Sequence, residues 1–207
     1  MINIEIASGK GEDAYFADSD YHQTVVIGVF DGLGGRSAGY DGETGGRIAS
    51  REAAKLSKDI LWNQKGILTK DIADRLQQRI CTDLKTQADR KMGISKIRGS
   101  LASKRLCTTI AMASMPKQKE PNQEFEVNLA WMGDSRIYFL SPTKGLQQLT
   151  KDDLESSKDA FQTRKSTITR IAKLSYNLTL RPGASHICLA ARTLKGPATR
   201  TKPQLPG

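Results

Sequence analysis

The sequence predicts an α+β fold in which helices pack on antiparallel sheet. Three observations support this prediction: strand-like segments come first, two long helical segments follow, and the chain then returns to strand-like segments joined by short connections. Strands and helices grouped in this way are typical of α+β domains, whereas a Rossmann-type fold alternates them. With 207 residues, the chain is long enough for one domain to bury its own core.

The N-terminal part of the chain predicts three strands and a loop. Residues 1–7 alternate apolar and polar side chains, which is the period of a half-buried strand. Residues 13–17 predict a second strand, and the nearly continuous apolar run at 24–30 indicates a buried one. The glycine-rich residues 35–46 predict a loop.

Two helices and four strands are predicted next. Apolar residues recur every three or four positions at 43–61 and 70–90, which indicates helices, and the polar residues 93–104 predict a connection. The strands are predicted at 106–115, 125–132, 136–140 and 146–149. The tight connection at Gly133 and Asp134 predicts a β-hairpin.

The net charge of +10 is concentrated in one part of the chain. Residues 160–207 hold nine Lys or Arg and no Asp or Glu, and their strand-like pieces lie at 175–180 and 185–191. We therefore divide the chain into a domain at 1–159 and a basic, atypical tail at 160–207. The abrupt loss of acidic residues favours a shifted reading frame or a foreign end over an evolved tail.

Composition argues against several classes of protein. The chain has no run of about 18 apolar residues and no signal peptide, so we expect a cytoplasmic protein without a membrane partner. Its three cysteines lack disulfide or metal spacing, and two histidines are too few for a His-rich zinc site.

The most informative segment, residues 31–35, directly follows the buried run at 24–30. Its sequence, Asp-Gly-Leu-Gly-Gly, places a carboxylate at the end of a strand beside glycines, where backbone can approach a metal or phosphate closely. Oxygen atoms are the ligands that Mg²⁺ and Mn²⁺ prefer. A strand followed by a tight turn explains the string equally well, so the string alone leaves both interpretations open.

Acidic residues also stand at other predicted strand ends, namely Glu12 and Asp13, Asp134, and Asp152 and Asp153. A single carboxylate in a turn is ordinary, because Asp favours turns and helix caps. Several of them around a glycine-rich loop, in a chain with two histidines, predict a divalent-metal site made of oxygen ligands alone.

Five short motifs carry a resemblance to a known family. They are Glu12-Asp13-Ala14, Val29-Phe30-Asp31-Gly32-Leu33-Gly34-Gly35, Cys107-Thr108-Thr109, Met132-Gly133-Asp134-Ser135-Arg136 and Leu149-Thr150-Lys151-Asp152. In order and spacing they resemble the metal-dependent protein phosphatases (type 2C serine/threonine phosphatases) of the bacterial style, over about residues 5–153. The resemblance implies a four-layer α-β-β-α sandwich, two antiparallel sheets flanked by helix pairs, here incomplete at the C-terminus.

The resemblance also implies a two-metal centre of Mg²⁺ or Mn²⁺ at one end of the sandwich. Asp31 matches the aspartate that bridges the ions, and the carbonyl of Gly32 matches a further ligand. Glu12 and Asp13 match the acidic pair beside one ion, and Asp134 matches an aspartate associated in some members with a third ion. The resemblance further implies that no side chain would serve as nucleophile, because the two ions would supply an activated water for in-line attack on phosphorus.

Two departures from the family pattern concern the phosphate and the metals. Where most members have a phosphate-binding arginine this chain has Ser8, and the nearest cation, Lys10, is a candidate that lacks the bidentate guanidinium fork. The later aspartate motifs that complete the metal ligation are missing, because no acidic residue follows Asp159. We therefore expect a phosphatase for phosphoserine and phosphothreonine proteins, with weak or no activity in this chain.

Two alternatives stay open. A pseudophosphatase would keep the fold and bind phosphoproteins without catalysis. The basic tail would suit a nucleic acid or a membrane surface, but its two aromatic residues provide no stacking platform, so we expect no nucleic-acid partner.

Overall fold

The structure is a computed structural model that describes residues 11–19, 21, 23–33, 43–92, 106–117, 125–141, 145–152, 172–176 and 186–190. The predicted strand at 1–7, most of the loop at 35–46 and the connection at 93–104 lie outside these residues. In chain order the elements are β1 (Ala14–Asp18), β2 (Thr24–Phe30), α1 (Gly45–Asn63), α2 (Lys70–Met92), β3 (Ile110–Pro116), β4 (Phe125–Met132), β5 (Arg136–Ser141), β6 (Gly145–Gln148), β7 (Ala172–Tyr176) and β8 (His186–Ala190).

Two antiparallel sheets organise the fold. The larger sheet has the strand order β1-β2-β3-β4-β7, and the smaller has the order β6-β5-β8. All neighbouring strands pair antiparallel. Strand β3 contacts β5 and β8 of the other sheet, so the sheets pack against each other. The predicted α+β class with two antiparallel sheets is confirmed.

The two helices pack on the larger sheet. Helix α1 follows Thr44, whose hydroxyl accepts a hydrogen bond from the backbone N–H of Arg47 at 3.3 Å. This bond satisfies a donor that the first helical turn otherwise leaves free. The core shared by the helices and the sheet includes Phe16, Val26, Phe30, Ala49, Ala53, Leu76, Ile80, Ile110 and Met112.

Strand β3 is buried on both faces because it lies between the helices and the second sheet. Successive side chains of a strand point to opposite faces, so Ile110 and Met112 join the helix-side core while Ala111 and Ala113 join the core between the sheets. The second core also contains Val127, Leu129, Trp131 and Ile137. The described residues thus form three layers, α-β-β, of the four expected.

Most predicted elements agree with the structure within two residues. Strands β2 and β4 have the predicted bounds, and β3 is the largest exception because it begins at Ile110 instead of residue 106. Neither of the described helices is long and apolar enough to cross a membrane.

The predicted hairpin between β4 and β5 is wrong. Strand β4 pairs with β3 and β7, whereas β5 pairs with β6 and β8 in the other sheet. At the connection Gly133 has a φ of +90°, a conformation that favours glycine. The chain crosses there, so that Trp131 and Ile137 both pack in the core between the sheets. Strand β5 still forms backbone hydrogen bonds along both of its edges, because it pairs with β6 and with β8.

Two strands come from the region predicted to be a basic tail. Strand β7 extends the larger sheet beside β4; it begins three residues before the predicted piece at 175–180 and overlaps it. Strand β8 lies within the predicted piece at 185–191. Strand β8 pairs with β5. The division at residue 159 and the origin of the tail stay predictions.

Candidate metal centre

The strand register brings three acidic segments to one end of the larger sheet. Because the start of β1 pairs with the end of β2, Glu12 and Asp13, which precede β1, lie beside Asp31, which follows β2. The start of β3 lies beside both the end of β2 and the end of β4. Asp134, which follows β4, therefore reaches the same end of the sheet.

The main chain of Asp31 is held by the start of β3. Its carbonyl accepts hydrogen bonds from the backbone N–H of Thr109 at 2.8 Å and from the hydroxyl of Thr108 at 2.9 Å. A single bridge between Gly32 and Thr108 continues the pairing beyond the end of β2. The backbone that carries the Asp31 carboxylate is therefore held in place by β2, which precedes it, and by the two threonines just before β3.

Burial and acidic neighbours favour the protonated form of the Asp31 carboxyl group. The pKa of its carboxyl group is raised from 3.8 to about 8. Burial is the largest cause, followed by the charge of Asp13, a hydrogen bond between the two carboxyl groups, and the charges of Asp134 and Glu12. Among the described residues no positive side chain contributes to this shift. A cation bound here would displace the proton.

The segment before β1 offers an unpaired oxygen atom and a fixed backbone. Glu12 Oε2 is buried and accepts no hydrogen bond from any described residue, which is a costly state for a carboxylate. The backbone carbonyl of Glu12, in contrast, accepts a hydrogen bond from the hydroxyl of Ser50 on α1. Helix α1 thus helps to hold this segment.

Gly32 lies where two backbone segments come together. A Cβ atom at this position would overlap the carbonyl oxygens of Gly46 and Glu12. A Cβ atom on Gly46 would likewise overlap the carbonyl oxygen of Leu33. Only glycine fits at either position, so the first turn of α1 packs directly on the segment that follows Asp31.

The turn that carries Asp134 is joined to the start of β3. Asp134 and Ser135 are 4% and 1% exposed, and the hydroxyl oxygens of Ser135 and Thr109 lie 2.6 Å apart. Gly133 packs on the side chain of the same threonine, because a Cβ atom there would lie 2.5 Å from Thr109 Cγ2.

Asp152, the acidic residue of the fifth motif, has another role. Its carboxylate accepts two hydrogen bonds from the guanidinium group of Arg136, at 2.8 and 2.6 Å, and these bonds raise the pKa of Arg136. The indole N–H of Trp131 donates to the carbonyl of Lys151 at 3.0 Å. These contacts fasten the end of the motif to β4 and β5, so Asp152 is not one of the groups that surround Asp31.

Three residues from the sequence analysis lie outside the described residues: Ser8, Lys10 and Asp153. The assignment of Lys10 as a phosphate ligand stays a prediction.

The donor atoms fit a hard divalent cation by their chemistry. They are all oxygen atoms, and their negative charge is concentrated around the buried Asp31. Within the described ranges, however, no three Asp, Glu, His or Cys side chains are already arranged to hold one ion. Ligand roles therefore stay predictions for the carbonyl of Gly32 and the side chains of Glu12, Asp13, Asp31 and Asp134.

Sequence reasoning assigned no role to Ser50, Ser135 or the individual threonines of the third motif. The available signals were the motif Cys107-Thr108-Thr109 and the motif Met132-Gly133-Asp134-Ser135-Arg136, which contains Ser135. Each of these hydroxyl groups has a partner that lies 26 to 77 residues away in the chain, and the spacing of residues along a sequence does not reveal such pairs.

The fold and site together define a two-sheet α+β domain with an acidic, oxygen-lined centre at one end. The family model of protein phosphatase 2C matches residues 7–189 of this chain. The chain belongs to the protein phosphatase 2C family, which confirms the resemblance found in the motifs. The match continues past residue 159 and includes β7 and most of β8.

Several solved structures are similar to this chain. A Stage II sporulation E family protein from Thermanaerovibrio acidaminovorans is 19% identical, with 68% of this chain and 53% of that chain covered and a TM-score of 0.42. The structure of the PP2C phosphatase domain and a regulatory fragment of SpoIIE from Bacillus subtilis is 13% identical, with coverages of 81% and 38% and a TM-score of 0.46. RsbX in complex with magnesium is 14% identical, with coverages of 88% and 61% and a TM-score of 0.41.

This chain spans between 38% and 61% of the length of these three structures. A comparison with curated proteins gives no match. The family membership rests on the match of residues 7–189.

Proposed function

We propose that this chain is a metal-dependent protein serine/threonine phosphatase that hydrolyses phosphoserine and phosphothreonine in proteins with Mg²⁺ or Mn²⁺. The observation that carries the proposal is the acidic cluster around the buried Asp31, where burial and neighbouring carboxylates raise the pKa of Asp31 and no described cation offsets them. Membership of the protein phosphatase 2C family supports it.

The residues of the cluster would have distinct tasks. Asp31, Glu12 and Asp13 would hold the ions through their carboxylates, with the carbonyl of Gly32 and the side chain of Asp134 as further ligands. Divalent ions supply positive charge for the phosphoryl oxygens and a water acidic enough to attack phosphorus. The chain's own contribution is to bury Asp31 and to fix its backbone through two hydrogen bonds, which pre-orients the carboxylate.

We expect slow turnover, because residues 160–207 contain no Asp or Glu and so add no carboxylate to the centre. Fewer carboxylates around a divalent ion lower its affinity. Phosphate binding would also be weak if Lys10 acts in place of an arginine, since a lysine binds phosphate as a point charge.

The test is Mn²⁺-dependent hydrolysis of p-nitrophenyl phosphate and of a phosphothreonine peptide. We expect slow hydrolysis that EDTA abolishes and that Asp31→Asn lowers about 100-fold or more, since that change removes the charge at the centre of the cluster. The matched control is Asp74→Asn, which removes an exposed carboxylate that pairs with Lys70 on α2, and its rate should equal that of the wild type. Hydrolysis that persists in EDTA or in Asp31→Asn would contradict the proposal.

A second candidate is a phosphoprotein-binding module without catalysis, which the acid-free composition of residues 160–207 favours. This candidate predicts that a phosphothreonine peptide binds equally well in EDTA and to Asp31→Asn, with no hydrolysis at any Mn²⁺ concentration. Fluorescence anisotropy of a labelled peptide distinguishes the two, because binding to the phosphatase should weaken when the metal is removed.

A further inference from the structure

We infer that Thr109 is a positioning residue that sets the distance between Asp31 and the turn of residues 133–135, which carries Asp134. The inference rests on the proposed function, in which these two carboxylates serve one metal centre. It assigns to the third motif of the sequence a task that the motif itself does not reveal.

Thr109 holds both partners at once. Its backbone N–H donates to the carbonyl of Asp31 at 2.8 Å. Its side-chain hydroxyl lies 2.6 Å from the hydroxyl of Ser135, and its methyl group packs against Gly133. One residue therefore uses its main chain for one acidic segment and its side chain for the other.

The topology makes this link important. The turn at 133–135 leads from β4 in the larger sheet to β5 in the smaller one, and β5 pairs with neither β2 nor β3. The backbone pairing of β2, β3 and β4, which fixes Asp31, therefore does not extend to β5 on the other side of the turn. A hydrogen-bonded path from Asp31 to Ser135 runs through Thr109.

The contacts of Thr109 oppose electrostatic repulsion between Asp31 and Asp134. Asp31 follows β2 and Asp134 follows β4 at the same end of the larger sheet, where both strands pair with β3, so the two carboxylates repel each other when both are ionised. Thr109 and Ser135 are 2% and 1% exposed, and in such a dry environment a hydroxyl that loses its partner is costly. The hydroxyl pair therefore opposes separation of the turn from the sheet.

Three variants and one matched control test the inference. Thr109→Val keeps the branched shape and the methyl group but removes the hydroxyl, Ser135→Ala removes the partner, and Thr109→Ser restores the hydroxyl without the methyl. The control is Ser114→Ala, since Ser114 is a buried hydroxyl near the other end of β3 that donates to the carbonyl of Gly66. It removes a similar bond from the same strand, away from the acidic cluster.

The first measurement is amide hydrogen exchange of the metal-free protein. Thr109→Val and Ser135→Ala should raise exchange about tenfold or more in the turn at 133–135, and Thr109→Val should also raise it at residues 31–33. Thr109→Ser should stay near the wild type, and Ser114→Ala should change neither segment. If Thr109→Val leaves exchange in the turn unchanged, the inference is overturned.

The second measurement is the Mn²⁺ affinity, determined by calorimetry. Thr109→Val and Ser135→Ala should each weaken binding about tenfold, the double variant no further, and Thr109→Ser less than about threefold. Equal weakening by Ser114→Ala would show a general effect of lost stability and would overturn the inference. If the wild type binds no Mn²⁺, the proposed function fails, and hydrogen exchange alone decides whether Thr109 joins the two segments.

Discussion

Replacing Asp31 with Asn should remove a pH dependence of stability from the metal-free protein. In the folded chain the pKa of Asp31 is raised from 3.8 to about 8, first by burial and then by Asp13, Asp134 and Glu12. Between these two pH values the folded chain keeps a proton that the unfolded chain has lost. The stability from this group is therefore fully present below about pH 4 and is lost as the pH rises through about 8.

The size of the effect follows from the pKa shift. Each pKa unit corresponds to about 1.4 kcal/mol, so the shift from 3.8 to about 8 sets an upper limit of about 6 kcal/mol on the loss. Because a hydrogen bond couples the carboxyl group of Asp31 to that of Asp13, we expect about half of this limit, ~3 kcal/mol. Asn keeps the shape of Asp31 without its charge. Near pH 8 the free energy of unfolding of the variant should therefore exceed that of the wild type by about this amount.

The assay is urea unfolding in EDTA, followed by circular dichroism from pH 5 to pH 8.5. The control Asp74→Asn changes an exposed carboxylate on α2 and should follow the wild type. Equal pH slopes for the wild type and Asp31→Asn would refute the reasoning. Addition of Mn²⁺ at pH 8 should stabilise the wild type and not Asp31→Asn, because only a ligand that binds the folded state raises its stability.

Two further predictions concern the turn and the fifth motif. Gly133→Ala should lower the free energy of unfolding by about 2–4 kcal/mol, because the new Cβ would meet Thr109 in addition to the strain of a positive φ; Gly145→Ala, with a φ of +68° and open space around it, should cost only about 1 kcal/mol, and equal losses in thermal or urea unfolding would contradict the contact. Arg136→Lys should cost about 1 kcal/mol, since a lysine cannot form both bonds to Asp152; the check is a double-mutant cycle with Asp152→Asn, and additive losses would show that the pair contributes nothing.

The sequence predicted the strands and helices more accurately than their partners. The bounds of β2 and β4 are as predicted because β2 is a nearly continuous apolar run that ends at Asp31, and β4 is a strand-like segment with an apolar end that stops at Gly133. The hairpin between β4 and β5 was wrong because a short connection limits only the distance between two strands. Whether they pair depends on β6 and β8, which lie later in the chain and bond to β5.

The candidate site was predictable as a set of residues and not as an arrangement. Acidic residues at strand ends around a glycine-rich loop indicated a metal site but included Asp152 and Asp153, and only the family resemblance narrowed the candidate side chains to Glu12, Asp13, Asp31 and Asp134. That Asp152 binds Arg136 depends on how two segments pack, 16 residues apart in sequence. A local pattern cannot separate an acidic residue of a metal site from one that pairs with a cation.

The carboxylates that the proposed function needs for metal binding lower the stability of the metal-free chain. Antiparallel pairing brings the start of β1, the end of β2 and the end of β4 to one place, so carboxylates at those positions must approach each other even without an ion. Burial and then their repulsion raise the pKa of Asp31. Neutral contacts oppose the repulsion: Thr108 and Thr109 bind the carbonyl of Asp31, and the hydroxyl of Thr109 pairs with that of Ser135. Neutral hydrogen bonds suit this task, since a positive side chain in the cluster would compete with the cation for the same carboxylates. Variants of these hydroxyl groups should therefore be most damaging when the metal is absent and the carboxylates are ionised.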